Sequence, residues 1–304
     1  MQVTARIAVG PAAESAWMGE AVLAAGATDS TLNQAEGLIW YGNAAELEPL
    51  LADAPKLRWV QLPAAGIEEY LPLIGRTTQT WTAAKGVYAD PCAEHAIGLA
   101  IAGFRHFNEA SRMRSWHKAP GKTLFDARAA IVGGGGIAQS LLRLLKPFRV
   151  HTTVVRRQSE ATPGADRTVQ TGNLMEALRD ADLLVLAAPL TRETRLMIRE
   201  PQLRAMKKDA WLINVARGRL VDTDDLVRAL KEGWIGGAGL DVTDPEPLPV
   251  GHPLWGLDNC IITSHTANPP NLDRQLFRGR IIENVRRFAA GEPLLGLIDR
   301  AAGY

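Results

Sequence analysis

The 304-residue sequence holds only two cysteines, Cys92 and Cys260. They lie far apart and match no metal-ligand spacing, so a disulfide framework and a cysteine metal site are excluded; so few thiols suit a reducing compartment. No charge of one sign prevails, with 34 Lys and Arg against 33 Asp and Glu, and a nucleic-acid partner is therefore not expected. Long hydrophobic runs are missing too. "LLVLAA" and "AIGLAIAGF" are too short or too interrupted to span a bilayer, and the start, "MQVTARIAVGP", lacks a basic segment followed by an apolar one. No membrane span or signal peptide is expected, and the expected location is the cytoplasm. What is present is an ordinary globular composition, 46% hydrophobic and 22% charged, at a length suited to two domains.

Short β-type runs alternate with helical patterns along the chain, the mark of parallel strands joined by crossover helices. The first third predicts strands at "RIAVG", "GLIWYG" and "LRWVQL", with helices over 12–26 and 44–54 between them. A long helix is predicted from Pro91 through Trp116, its proline suiting a first helical position, and it could bridge two domains. Six further strands follow, "RAAIVG", "VHTTVV", "DLLVLAA", "AWLINV", "GGAGLDV" and "CIITS", each but the last pair separated by a helical pattern. That series fits a complete dinucleotide-binding sheet. A last helix is predicted over 271–291. The expected fold class is α/β, with two Rossmann-like doubly wound parallel-sheet domains and a cleft between them.

The stretch "IVGGGGIAQ", 131–139, is the most informative. Glycines also collect in plain turns, but here Gly133 directly follows an apolar strand, Gly135 comes two residues later, and Ala138 stands third as a helical pattern begins. The first glycine allows a tight turn, the second lets backbone approach a pyrophosphate, and the small third residue permits close packing of helix on strand. The helix start, with Gly136 and Ile137, offers free N–H groups to the anion. On the following strand an NAD site usually carries an acid about 20 residues on. This chain has Arg156 there and Arg157 beside it. Two guanidinium groups favour the 2′-phosphate of NADP(H) over the bare ribose of NAD(H); the alternative is a pair of solvated arginines, which leaves NAD(H) possible.

Seven stretches carry a wider likeness: "QLPAAGIEEYL", "GVYADPCAEHAIGL", "GGGGIA", "APLTRETRLMI", "LINVARGRLVDTDDLVRAL", "GLDVTDPEPLP" and "NCIITSHTA". In their order and spacing the chain resembles the D-isomer-specific 2-hydroxyacid dehydrogenase family, and the tail "GEPLLGLIDRAAGY" looks like its glyoxylate and hydroxypyruvate reductase branch. The resemblance implies His265 as general acid/base, Glu246 as the carboxylate orienting it, and Arg217 as the cation that binds substrate and polarises its carbonyl. It further implies substrate-carboxylate binding by backbone N–H groups of Ala65, Gly66 and Ile67. Cofactor contacts are implied at Pro189, Thr194, Ala216 and Asp241. The chain departs from the family where Arg156 replaces an acid, Ala187 stands where histidine is common before the proline, and Glu68 stands where aspartate is common.

Domains are expected over 1–98 with 273–304, discontinuous, flavodoxin-like and substrate-binding, and over 99–272, the dinucleotide-binding Rossmann domain. The implied activity is NAD(P)H-dependent reduction of a small 2-keto acid to the 2-hydroxy acid, D where chiral, without a metal. A homodimer through the cofactor domain is implied by family analogy. Two competing readings are a phosphoglycerate dehydrogenase and a non-catalytic dinucleotide sensor. His95 is expected to be structural; His106, His117, His151 and His252 are expected on the surface or in loops. Trp81, Tyr88 and the aromatics near Trp116 are candidates for pocket wall and for core alike.

Overall fold

The computed structural model describes residues 4–116, 118, 121–158 and 160–304; His117 lies outside the described residues. These fall into two compact units, Met1–Tyr88 with Pro270–Tyr304, and Ala89–Pro269.

In the first unit, β1 (Arg6–Gly10), β2 (Thr28–Asp29), β3 (Gly37–Trp40), β4 (Trp59–Gln61) and β5 (Thr80–Thr82) form one parallel sheet in the order β2-β1-β3-β4-β5. Helices α1 (Ser15–Ala24), α2 (Ala44–Leu47) and α3 (Leu71–Arg76) connect them. β2 and β5 are edge strands, β2 of two exposed residues and β5 of three with the last two buried, and neither makes an apolar run visible in sequence. The helix expected over 44–54 is only partly α: after Leu47 the chain tightens into 3₁₀ turns over Glu48–Asp53, because Pro49 removes a donor. The C-terminal helix (Pro270–Ala290) buries Phe277, Ile281 and Val285, spaced four residues apart, against Ile7, Met18 and Val22. Burial on that scale stabilises by roughly 1.5–3 kcal/mol per side chain. Beyond that helix the tail runs along β5, where Ala83 N–H donates to the Gly296 carbonyl at 2.8 Å and Ile298 N–H to the Trp81 carbonyl at 3.0 Å, covering an otherwise open sheet edge. Buried Asn284 ties the two together: its amide donates to Gln61 Oε1 at 2.6 Å and to the Leu295 carbonyl at 2.9 Å, and accepts from Leu295 N–H at 2.8 Å.

The second unit begins with α4 (Ala89–Phe104) and α5 (Phe107–Ala110). The expected single helix thus starts before Pro91 and breaks after Phe104, where His106 turns left-handed at φ 50°. There follow β6 (Arg128–Val132), α6 (Gly136–Leu145), β7 (His151–Arg156), β8 (Arg167–Gln170), α7 (Leu174–Arg179), β9 (Leu183–Leu186), α8 (Glu200–Ala205), β10 (Trp211–Asn214), α9 (Thr223–Glu232), β11 (Gly237–Leu240) and β12 (Cys260–Ile262). All pair in parallel in the order β12-β11-β10-β9-β6-β7-β8. The sheet therefore has seven strands where six were expected, the addition being edge strand β8, with one buried residue in four. β9, β10 and β11 are buried throughout, as a sheet covered on both faces requires; Leu212 faces one core, while Trp211 and Ile213 face the other. α9 shows how its ends were written in sequence: Asp222 accepts from Asp225 N–H at 3.1 Å to cap the start, and Gly233 closes the helix at φ 67°. The units divide at Tyr88/Ala89 and Pro269/Pro270, earlier than the expected 98 and 272; the first division is early because α4 packs on α6, β10 and β11 of the second unit.

No described helix is long and apolar enough to cross a membrane.

Candidate active site

The order of the second sheet reverses between β6 and β9, and an open α/β sheet offers a ligand crevice at such a point. The glycine run sits there. Gly133 N–H donates to the Val155 carbonyl at 2.8 Å, and its φ of +113° brings it so near β9 that a Cβ would lie 2.5 Å from the Ala187 oxygen. Only glycine fits. Gly135 caps α6 and faces open space, with no atom within 4 Å of an added Cβ, and Gly136 and Ile137 open the helix with their N–H groups toward that end. Ala138 is fully buried against the sheet. Arg156, ending β7, lies alongside the loop: its Nε is 3.3 Å from a Cβ built on Gly134, and its Nη2 donates to Gln158 Oε1 at 2.6 Å. Arg157 is exposed. Pro189 and Thr194 form a closed turn after β9, Thr194 Oγ1 donating to the Pro189 carbonyl at 2.7 Å and accepting from Thr191 N–H at 2.8 Å. Space beside Gly135, free helix N–H groups and a guanidinium along the loop fit a dinucleotide phosphate.

Arg217, Glu246 and His265 follow three adjacent strands, β10, β11 and β12, at their C-terminal ends. Glu246 Oε1 lies 2.6 Å from His265 Nδ1, and both side chains are about half exposed. A carboxylate can only accept, so Nδ1 carries a hydrogen and Nε2 is the nitrogen left to exchange a proton. Buried Asn214 shapes the Arg217 turn, its amide donating to the Arg217 carbonyl at 2.9 Å and accepting from Ala216 N–H at 3.1 Å. Arg217 Nη1 donates to the Ala216 carbonyl at 2.7 Å. The next residue, Gly218, presses on the loop of Glu246: a Cβ there would stand 1.9 Å from the Thr243 oxygen. Thr243 N–H in turn reaches Glu246 Oε2 at 3.4 Å. The three side chains are thus brought onto two interlocked loops and their neighbour.

Asp241, expected at the cofactor, is buried and hydrogen-bonded within the protein. Its Oδ1 accepts from Thr263 Oγ1 at 2.6 Å and Thr266 N–H at 2.8 Å, its Oδ2 from Ala267 N–H at 3.0 Å, and its carbonyl from His265 N–H at 2.8 Å. It therefore organises the loop that carries His265, whose φ of 52° is left-handed. Cys92 on α4 lies near Asp241 and Arg217; burial first, then the Asp241 charge, push its thiol up to about 11, so it stays neutral. Asn214, Gly218, Thr263 and His95 were not foreseen as parts of the site. One signal was available: an asparagine closing the apolar strand "WLIN" has no reason to be buried unless it clamps backbone.

In the first unit, Ala65, Gly66 and Ile67 form the turn after β4, exposed, half-buried and buried in that order. Glu68 follows in a 3₁₀ turn, and Ala187 ends β9's hydrogen-bond ladder with its N–H on the Val132 carbonyl at 2.8 Å. Trp81 is core, Tyr88 is half-buried with its hydroxyl on the Pro63 carbonyl at 2.8 Å, and Trp116 is exposed. His151 starts β7 on the surface and His252 caps a turn.

Comparison with known proteins follows the same lines. The family model described as "D-isomer specific 2-hydroxyacid dehydrogenase, NAD binding domain" matches residues 97–267. An uncharacterized protein in the proB 3′ region of Corynebacterium melassecola is 40% identical, over 90% of this chain and 91% of the relative. A glyoxylate reductase from Pyrococcus horikoshii is 36% identical, over 82% of this chain and 78% of its own. Among solved structures, a D-isomer specific 2-hydroxyacid dehydrogenase from Xanthobacter autotrophicus Py2, in complex with NADPH and MES, superposes with a TM-score of 0.87 at 26% identity, covering 99% of this chain and 100% of that one.

Proposed function

The chain belongs to the D-isomer specific 2-hydroxyacid dehydrogenase family and is an oxidoreductase acting on CH–OH groups; on that premise we propose that it reduces glyoxylate or hydroxypyruvate to the 2-hydroxy acid, D where chiral, preferring NADPH. The observation that carries this reading is the 2.6 Å contact of Glu246 with His265 Nδ1, next to the interlocked Arg217 turn. Glu246 holds the ring through Nδ1–H, and in the imidazolium form Nε2 gives its proton to the carbonyl oxygen as that oxygen gains charge, leaving the neutral imidazole with its hydrogen on Nδ1. Arg217 binds the substrate's carboxylate and carbonyl oxygens through its planar fork and stabilises the developing negative charge. Ala65, Gly66 and Ile67 offer backbone N–H groups to the carboxylate. The bound dinucleotide supplies the hydride. Gly135, Gly136 and Ile137 would hold its phosphates at the turn that Gly133 makes, with the turn of Pro189 and Thr194 and the backbone of Ala216 alongside. The preference for NADPH is supported by Arg156 lying along the glycine loop where an acid would serve NAD, and by the NADPH complex of the Xanthobacter relative. The glyoxylate assignment is supported by the name of the Pyrococcus relative.

The test follows loss of the reduced-nicotinamide absorbance with NADPH and NADH in parallel, offering glyoxylate, hydroxypyruvate and phenylpyruvate. NADPH turnover with the first two is expected, lowered about 10²–10⁴-fold by His265→Ala. Arg156→Asp is expected to move the preference toward NADH by about tenfold or more. Consumption of neither cofactor with any keto acid would sink the assignment; faster turnover with NADH would sink the role given to Arg156.

A further inference from the structure

The proposed chemistry uses neither His95 nor Thr263, yet both are joined to its centre. His95 projects from α4 with its side chain about three-quarters buried, Nε2 lying 2.9 Å from Thr263 Oγ1 and 3.5 Å from Asp241 Oδ1. The tautomer follows from counting hydrogens. Asp241 accepts only, so the single hydroxyl hydrogen of Thr263 is spent on the 2.6 Å bond to Oδ1, and Thr263 Oγ1 can only accept from the ring. Nε2 of His95 therefore carries a hydrogen.

We infer that His95 is a positioning residue for the proposed reaction, acting through Thr263 and Asp241 on the loop that carries His265. The inference rests on the reading above for its kinetic consequence but not for its geometry. His95 fixes the Thr263 hydroxyl, Thr263 fixes the Asp241 carboxylate, and Asp241 gathers the N–H groups of Thr266 and Ala267 while its carbonyl takes that of His265. A histidine at φ 52° keeps that conformation only where surrounding contacts over-determine it. Removing the first link frees the hydroxyl to rotate, loosens the carboxylate and lets the His265 backbone relax, while the glycine loop and Arg156 stay as they are.

The experiment compares His95→Leu with His95→Gln, whose amide keeps an N–H donor. His95→Leu is expected to lower kcat about tenfold, the effect of one buried hydrogen bond, with KM for NADPH changed less than about twofold. His95→Gln should recover most of the loss. Because His95 acts through Thr263, His95→Leu combined with Thr263→Val should be no worse than the poorer single variant. Long-range ¹H–¹⁵N spectra of the histidine rings give a readout independent of turnover: the Nε2–H tautomer at His95, and His265 ring signals that move in His95→Leu and return in His95→Gln. Wild-type kcat in His95→Leu, additive losses in the double variant, or a loss that glutamine fails to restore would overturn the inference. Should the wild-type protein turn over no keto acid, the functional reading fails, and the ring spectra still decide this one: unmoved His265 signals in His95→Leu overturn it.

Discussion

Gly218→Ala adds one methyl group where the structure has no room for it. The new carbon would stand 1.9 Å from the Thr243 oxygen and 2.0 Å from its carbon, both backbone atoms, and real contacts of this kind do not fall below 3.0 Å. The Arg217 turn and the Glu246 loop must then part by about 1.1 Å. Neither side gives easily: Asn214 clamps the turn through two hydrogen bonds, and Thr243 is tied to Glu246 and, through its hydroxyl, to the Pro245 carbonyl at 2.9 Å. Overpacking of this sort destabilises by about 1–3 kcal/mol, whereas a displacement near 1 Å between groups acting on one substrate costs about 10²-fold in rate. The expected result is a folded protein with kcat/KM for glyoxylate down about a hundredfold, close to 2.7 kcal/mol of transition-state stabilisation. Steady-state oxidation of NADPH measures the rate, and urea unfolding the stability. Gly256→Ala, in open space, is the control and should leave both nearly unchanged. A folded Gly218→Ala protein with kcat/KM within about threefold of wild type would refute the claim that these loops interlock the site.

Asn284→Leu strips the partners from the Leu295 N–H and carbonyl and weakens the hold on Gln61, so it should lower stability by about 1–3 kcal/mol and expose β5 to proteolysis of the tail, read by urea unfolding and limited digestion. Acid should reveal Asp182. Burial pushes its carboxyl up, but the Arg128 N–H at 2.8 Å and the ammonium groups of Lys207 at 2.9 Å and Lys122 at 3.9 Å outweigh that and hold it below the usual carboxylate range. A depressed folded value means stability present above the ordinary carboxylate pKa and lost as pH falls through the lower, folded one. The stability gap between wild type and Asp182→Asn should therefore be full at neutral pH and close as the pH drops below about 4, in denaturation measured across that range.

Where local chemistry decided structure, the sequence could be read. The glycine run announced its strand, turn and helix because three small residues there answer three separate steric demands. Edge strands β2, β5 and β8 were not legible: they exist because a neighbour offers hydrogen bonds, not because their side chains form an apolar run. The break in the long helix after Phe104 was hidden for a related reason, since His106 carries no proline or glycine signal for its left-handed turn. In the site, Arg217, Glu246 and His265 stood out through the motifs around them, and the 2.6 Å pairing of the last two bears on chemistry that those motifs imply. The chain of contacts from His95 through Thr263 to Asp241 could not be seen, because His95 and Thr263 are 168 positions apart in the chain and meet only when α4 packs on the second sheet.

The C-terminal helix has a consequence for how the molecule is made. Its Phe277, Ile281 and Val285 complete a core begun by Ile7, Met18 and Val22, yet the 181 residues of Ala89–Pro269 separate the two parts in the chain. A ribosome adding about 5–20 residues per second needs roughly 10–40 s to cross that interval. Throughout it, the first sheet waits with one apolar face covered only in part, by α1, while the second unit receives every strand it needs. The unit whose translation begins first is thus the unit that matures last, and a product released before Pro270 would present an open core to chaperones and proteases.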